Sequence, residues 1–198
     1  MNILPPTQSA APGRLRCDRD LLMAFAWGFA EASFFFIAPD VLFTRIAIMR
    51  GWRKALRACV WGLAGAMLGG GAIYFLAATG HAAGIDRLFD WIPGINPKLM
   101  ASARDGLDNN GVTALFSGTF RGIPYKLYAA HAGASHIDWV IFFIVSAAAR
   151  FMRFAASSTL AWLIATTALR PLAQTRIQLI HLVFWTVSYA FYFWIQRG

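Results

Sequence analysis

The sequence GTFRGIPYKLY at residues 118–128 places two cations and a proline inside an otherwise apolar part of the chain. The apolar sequence VTALF precedes it, and AAHAGA follows it. Arg121 or Lys126 facing lipid near a bilayer centre would cost about 3 kcal/mol or more. Pro124 breaks a helix because it lacks an N–H and its ring clashes with the preceding turn. The stretch therefore predicts a turn at membrane depth, with both cations facing a cavity.

Composition indicates an integral membrane protein. The 198 residues are 58% hydrophobic, well above an ordinary soluble domain. Lys and Arg number 18 against 9 Asp and Glu, and most of the cations lie in short clusters between apolar runs. This placement is typical of the positive-inside topology signal at a membrane surface. No basic groove with interleaved base-stacking residues indicates a nucleic-acid partner.

The N-terminus and the cysteines add little chemistry. Residues 1–20 are polar and proline-rich and lack the order of a cleavable signal, so we expect a flexible cytoplasmic tail. Cys17 and Cys59 form no CxxC, and no His pair stands at metal spacing, so we expect no metal, cofactor or disulfide framework. Cys59 lies in an apolar run and is expected in the core.

Residues 21–49 form a first apolar run that is interrupted by Glu31, Pro39 and Asp40. A single straight span would carry two carboxylates through lipid. A helix that enters, breaks at Pro39 and turns back avoids this, because irregular backbone is tolerated at membrane depth where protein or a wet cavity surrounds it. We expect a re-entrant helical hairpin here, with two short interfacial helices as the alternative.

Three longer apolar runs are expected to span the membrane, at residues 55–79, 138–167 and 177–196. The basic cluster at residues 50–57 places the start of the first span in the cytoplasm. Residues 80–110 carry more acids and are expected on the other side, as an external loop with an amphipathic helix.

The first span carries small residues at four-residue spacing, namely Gly62, Ala66 and Gly70, with Gly65 and Gly69 beside them. Such a face lets helices approach closely. We favour packing within the chain, and a homo-oligomer seam is the alternative.

Residues 111–133 form a second interrupted run, which is basic where the first is acidic. The two runs open from opposite sides of the membrane, a pattern that indicates an inverted repeat with a transport site at the midplane. The expected fold is an all-α integral membrane protein with two oppositely oriented re-entrant helical hairpins and about three spanning helices. A carboxylate and a guanidinium neutralise one another at the midplane, so we expect Arg121 to meet Glu31 and Asp40.

Three segments together resemble the DedA superfamily, the VTT-domain (SNARE-associated) membrane proteins. They are EASFFFIAPD at residues 31–40, GLAGAMLGGGAIYFLAATG at 62–80 and GTFRGIPYKLYAAHAG at 118–133. The resemblance covers about residues 25–163. The sequence ARFMRF at 149–154 after RGIPYK looks closest to the short YqaA-like branch. The chain departs from the main group because Lys126 stands two residues after Pro124 and no glycine separates Pro39 from Asp40.

The resemblance implies a core at residues 21–167 with two re-entrant hairpins, located in a bacterial inner membrane with the N-terminus in the cytoplasm. It implies movement of an anionic lipid, undecaprenyl phosphate or a phospholipid, coupled to protons. Glu31 and Asp40 match the acidic proton-coupling positions, and Arg121 matches the essential hairpin arginine.

The residues themselves suggest how a phosphate would be held. Arg121 offers a planar fork, Lys126 a point charge, Pro124 a free helix N-terminus and Gly122 close backbone approach. Three further side chains have open interpretations. Arg150 and Arg153 share one helix face and either line the same cavity or pair with Asp138 or Asp40. His131 is either a proton relay or, more often for such a residue, a satisfied core histidine.

Two other functions compete with transport. One is a membrane-assembly or homeostasis factor without transport. Separately, the alternative role of Arg121 and Glu31 is a structural ion pair that holds the two hairpins together. A lipid phosphatase would need a phosphate-binding arginine and a His nucleophile with a carboxylate partner. His131, His136 and Asp138 follow the second hairpin, but the paired motifs of such enzymes are absent, so we do not expect an enzyme.

Overall fold

The computed structural model of the protein describes residues 18–196, and these residues fold into helices joined by turns. This confirms the expected all-α class. Residues 1–17 of the predicted tail lie outside the described residues. Asp18 caps the first helix, and Arg19 and Asp20, which were expected in the tail, begin that helix. The helices are α1 (Arg19–Ser33), α2 (Asp40–Arg50), α3 (Trp52–Leu76), α4 (Ala82–Asp90), α5 (Pro97–Asn110), α6 (Ala114–Arg121), α7 (Tyr125–Ala134), α8 (Trp139–Thr166) and α9 (Gln174–Gln196).

Three helices in the described chain are long and apolar enough to cross a membrane. They are α8, α9 and α3 together with α4, and each exceeds the roughly 20 residues that a bilayer core requires. A π-helical turn, Ala77–His81, joins α3 to α4, and Gly80 kinks it with a φ of 90°. The segment predicted as an external loop therefore begins as a continuation of the first long helix.

Both proline-marked interruptions are helix breaks. α1 ends at Ser33, and α2 begins at Asp40 directly after Pro39. α6 ends at Arg121, and α7 begins at Tyr125 after Pro124, which is in an extended conformation. Gly122 has a φ of 77°, a left-handed conformation that favours glycine, and it ends α6.

The small-residue face of α3 packs inside the chain, as we favoured from the sequence. α1 lies along α3 so closely that a Cβ on Gly65 would stand 2.0 Å from the Phe25 carbonyl oxygen. A Cβ on Gly69 would stand 2.5 Å from the carbonyl oxygen of Phe29. Only glycine permits this approach of two backbones, which brings dispersion contacts along the whole interface.

Ion pairs join the start of α1 to the end of α2 and to the start of α3. Asp20 pairs with Arg50 at 2.6 Å and with Lys54 at 3.1 Å, and Lys54 also reaches Asp18 at 3.0 Å. The hydrogen bond from Lys54 holds the pKa of Asp18 below its usual value. The basic cluster after α2 is therefore partly neutralised by acids of the same chain.

The remaining contacts place the two breaks between the long helices. α2 packs against α8 and α3, while α7 packs against α3. Phe43 of α2 and Phe154 of α8 are fully buried with ring centroids 4.9 Å apart, and they centre one apolar core that also holds Cys59. Tyr74 and Phe142 stack in a second core.

α9 differs from the other long helices because most of its surface is exposed within the described chain. Its outer face is apolar and carries large side chains, among them Leu182, Phe184, Val187, Phe191 and Trp194. Its inner face makes polar contacts with the loops that follow α1 and α4. An apolar outer face of this extent is suited to lipid.

Candidate functional site

A cavity of about 230 Å³ lies where the two helix breaks meet α8 and α9. The first break contributes Phe35, Phe36 and Ala38, and the second contributes residues 122–124. The first turn of α7 adds Tyr125 and Lys126. The wall also includes Glu31 of α1, Ser146, Ala149, Arg150 and Arg153 of α8, and Trp185, Ser188, Tyr189 and Tyr192 of α9. Charged and hydroxyl groups thus converge in a lining that is otherwise apolar and aromatic.

Lys126 is the most deeply buried cation in the described chain, with 1% of its surface exposed. It stands in the first turn of α7, where Pro124 has just interrupted the helix. Its Nζ donates a hydrogen bond of 2.5 Å to the carbonyl oxygen of Phe35, in the first break. The Lys126 ammonium therefore links the segment after the second break to the first break. Its hydrogen-bond partner there is a neutral carbonyl group.

The two predicted acids are buried, and each pairs with an arginine of α8. Glu31 forms an ion pair with Arg150, and both side chains are more than nine-tenths buried. Asp40 forms an ion pair with Arg153 and also accepts a hydrogen bond of 2.8 Å from the Ser157 hydroxyl. The three-residue spacing of the arginines puts both on one helix face, as predicted, and that face meets α1 and α2.

The ionised groups at the cavity leave one positive charge in excess. Arg150 and Arg153 are balanced by Glu31 and Asp40. Lys126 remains, because its hydrogen bond goes to a carbonyl. A buried charge without a counter-charge is costly, so the cavity favours an anion that can enter it.

The expectation that Arg121 meets Glu31 and Asp40 is wrong. Arg121 is exposed and lies outside the lining of the cavity. It stands in the last turn of α6, where a cation is favoured by the partial negative charge of the helix C-terminus. Gly122 then turns the chain, so the next side chains to enter the cavity are those of residues 123–126. The cationic partners of Glu31 and Asp40 are instead Arg150 and Arg153 of α8.

His131 and Asp138 are engaged elsewhere. His131 Nε2 lies 2.8 Å from Asp108 Oδ1, and the imidazole lines a separate cavity of about 150 Å³ between α4, α5 and α7. His131 and Glu31 therefore line different cavities, and this imidazole is not placed to relay protons to the Glu31 carboxylate. Asp138 caps α8 by accepting a 2.9 Å hydrogen bond from the Ile141 N–H. Of the two partners proposed for Arg153, Asp40 is the one it contacts.

Sequence reasoning missed the wall that α9 supplies. The Tyr189 hydroxyl accepts a 2.7 Å hydrogen bond from the Ala38 N–H, and the Tyr192 hydroxyl donates to the Gly94 carbonyl at 3.1 Å. Trp185 Nε1 lies 3.2 Å from the Thr44 hydroxyl. Positions 185, 188, 189 and 192 follow the i, i+3, i+4, i+7 spacing of one helix face, so polar aromatic residues at this period were the available signal.

The arrangement can hold an anionic group beside an apolar chain. Lys126 and the two arginines supply cationic donors, and the aromatic lining can accept hydrocarbon. Among the described residues, no group of three or more His, Cys, Asp and Glu is placed to hold a metal ion. The chain matches no known protein-family model, no characterised protein and no solved structure.

Proposed function

We propose that this protein is a transporter that moves a lipid with an anionic headgroup, such as undecaprenyl phosphate or a phospholipid, across the membrane. The observation that carries the proposal is Lys126, a buried ammonium without a carboxylate partner in a cavity between two helix breaks. A phosphate oxygen is the ligand that such a donor lacks.

The proposal needs a polar site at membrane depth with an apolar side open to lipid. The helices long enough to span the membrane include α8 and α9, which form two walls of the cavity. In the proposed arrangement the breaks at Pro39 and Pro124 are the tips of two re-entrant segments, α1–α2 and α6–α7. Irregular backbone is tolerated there because it lines a cavity instead of facing lipid.

The packing is consistent with an inverted repeat in which α1–α3 corresponds to α6–α8. α2 packs on α8, and its counterpart α7 packs on α3, so each half supplies the long helix that supports the other half's second segment. Both second segments begin directly after a proline, α2 after Pro39 and α7 after Pro124. Paired interrupted helices of this kind hold substrates near the midplane in many transporters. The resemblance of three segments to the DedA superfamily supports the same proposal.

Proton coupling follows from competition for the arginines. Glu31 and an incoming phosphate are both acceptors for the Arg150 guanidinium, and Asp40 competes in the same way for Arg153. Protonation of either carboxyl group weakens its ion pair and frees the arginine for the lipid phosphate. Deprotonation restores the ion pair and releases the lipid.

The proposal is tested by leaflet exchange of a labelled anionic phospholipid in liposomes that contain the purified protein. We expect exchange with the wild type and a loss of at least about tenfold with Lys126→Met, which removes a charged hydrogen-bond donor. Lys98→Met, at an exposed lysine of α5, is the matched control and should behave as the wild type.

The same assay separates transport from an assembly role. Wild-type protein that is folded and yet moves neither anionic phospholipid nor polyprenyl phosphate would contradict the proposal. It would favour a factor that supports other membrane proteins, with the ion pairs of α8 serving only to hold the fold.

A further inference from the structure

Three polar atoms in the cavity wall are buried and make no hydrogen bond within the described part of the chain. They are Tyr125 Oη, Ser146 Oγ and Arg150 Nε. The exposed fractions of these residues are 4%, 0% and 5%. Buried polar groups are nearly always paired, so three orphans in one wall indicate a missing partner. All three residues line the cavity that contains Lys126.

The Tyr125 ring is held in place on several sides. It stacks on Phe142 with an interplanar angle of 10°, and the Arg150 guanidinium lies 4.6 Å from its centroid. Gly70 lies against it so closely that a Cβ there would stand 2.2 Å from a ring carbon. The hydroxyl therefore has a fixed position. The Ser146 hydroxyl stands beside it at the edge of hydrogen-bonding range, and the two hydroxyls do not form a hydrogen bond of good geometry with each other.

The Arg150 guanidinium has hydrogen-bond partners for only some of its N–H groups. One terminal nitrogen holds Glu31, while Nε–H remains without an acceptor. The guanidinium fork can therefore keep its ion pair and still donate to a second acceptor. The free donors are one guanidinium N–H and two hydroxyls, and Lys126 adds positive charge to the same cavity. Three hydrogen-bond donors beside a positive charge suit an acceptor that has several oxygens and a negative charge.

We infer that Tyr125, Ser146 and Arg150 Nε form a phosphate-oxygen subsite, which receives the headgroup phosphate of the lipid whose charge Lys126 neutralises. This inference rests on the proposed function and adds the residues that bind the phosphate oxygens. The cavity presents these polar donors beside aromatic side chains that can accept hydrocarbon, so it suits a phosphate group attached to an apolar chain. Water would satisfy the hydroxyls but would leave the excess charge of the cavity unbalanced.

The subsite is tested by binding to the purified full chain in detergent micelles. The probes are a short-chain phosphatidic acid, the diacylglycerol with the same chains, and inorganic phosphate. We expect phosphatidic acid to bind at least about tenfold more tightly than diacylglycerol, because hydrogen bonds to a charged group are strong. Competition by inorganic phosphate alone at equal affinity would identify free phosphate as the ligand instead of a lipid phosphate.

The decisive variant is Tyr125→Phe with Ser146→Ala, which removes two hydroxyls and little volume. We expect it to weaken phosphatidic acid binding about tenfold or more and to leave diacylglycerol binding unchanged. The matched control is Tyr74→Phe with Ser158→Ala, at buried positions outside this cavity. It should bind as the wild type, and circular dichroism should show all forms folded.

Two outcomes separate the inference from the function on which it rests. Loss of binding in Lys126→Met with full binding in the double hydroxyl variant would overturn the subsite and leave the transporter proposal standing. Equal binding of phosphatidic acid and diacylglycerol to the wild type would overturn both.

Discussion

Arg150 of α8 forms a buried ion pair with Glu31 of α1, across 119 positions of sequence. The pair fixes the position of α8 along its own axis relative to the C-terminal end of α1, just before the first helix break. Its neighbour Arg153 does the same for Asp40 at the start of α2. α8 therefore holds both sides of that break, and the cavity lies against the same face of the helix.

Breaking the buried pair should destabilise the fold strongly. Glu31→Gln leaves the Arg150 guanidinium buried without its counter-charge, which typically costs about 3–5 kcal/mol. We expect a marked fall in the midpoint of thermal unfolding in detergent, measured by circular dichroism. The double variant Glu31→Gln with Arg150→Gln should recover much of the loss, since no unpaired charge remains.

A matched control exists at the surface. Asp86 and Arg104 form an ion pair of 2.7 Å in which both side chains are well exposed. Exposed pairs contribute about 0–1 kcal/mol, so Arg104→Gln should change the unfolding midpoint little. A comparable loss of stability at both sites would show that burial does not determine how much the Glu31–Arg150 pair contributes to the free energy of unfolding.

Arg121 should be less important for lipid binding than the arginines of α8. Its side chain is exposed and lies outside the cavity lining, so Arg121→Gln should cost less than about 0.5 kcal/mol in stability. We expect phosphatidic acid binding within about twofold of the wild type, whereas Arg153→Gln should weaken it. Loss of binding in the Arg121 variant with retained folding would restore the role that its position in the sequence first suggested.

The contrast between Arg121 and Arg150 shows where the sequence was informative. Proline, glycine and apolar run length act locally, so the breaks at Pro39 and Pro124 and the three long apolar helices could be predicted. The partner of an acid depends on which helices pack together, and that is a tertiary property. Arg150 lies inside a 28-residue helix, where nothing local identifies Glu31 as its partner. The left-handed conformation of Gly122 ends α6 and leaves the Arg121 side chain outside the cavity.

The carboxyl groups should make transport depend on pH. In the proposed exchange, a neutral Glu31 or Asp40 frees an arginine for phosphate, so leaflet exchange should be faster when these carboxyl groups are neutral. Asp40→Asn mimics the neutral form and should remove much of the pH dependence. Leaflet exchange by stopped-flow fluorescence at a series of pH values measures it.

The control for the pH profile is Asp108→Asn, because Asp108 pairs with His131 at the other cavity. This variant should keep the wild-type profile. An unchanged profile in both Asp40→Asn and Glu31→Gln, measured on protein that circular dichroism shows to be folded, would rule out coupling through these acids.

The close packing of α1 on α3 should be intolerant of a single methyl group. A Cβ at Gly65 would stand 2.0 Å from the Phe25 carbonyl oxygen, so Gly65→Ala forces the two helices apart. We expect a loss of about 1–3 kcal/mol, as for overpacking elsewhere. Gly84→Ala in α4 meets nothing within 4 Å and should be neutral or stabilising by up to about 1 kcal/mol. Thermal unfolding of the two variants side by side gives the comparison.

The orientation of the long helices in the membrane can be tested by single cysteines. Arg53 at the start of α3 and Lys98 at the start of α5 are both exposed, on either side of the α3–α4 helix. The basic cluster around Arg53 predicts a cytoplasmic location, and the acidic segment containing Lys98 predicts the opposite side.

In a Cys17→Ser background, Cys59 remains fully buried and should react slowly. A membrane-impermeant maleimide added to intact cells should then label Lys98→Cys and spare Arg53→Cys until the membrane is opened. Labelling of both positions from the same side would mean that α3 and α4 do not cross the bilayer between them. It would also contradict the proposed arrangement, in which the two re-entrant segments open from opposite sides of the membrane.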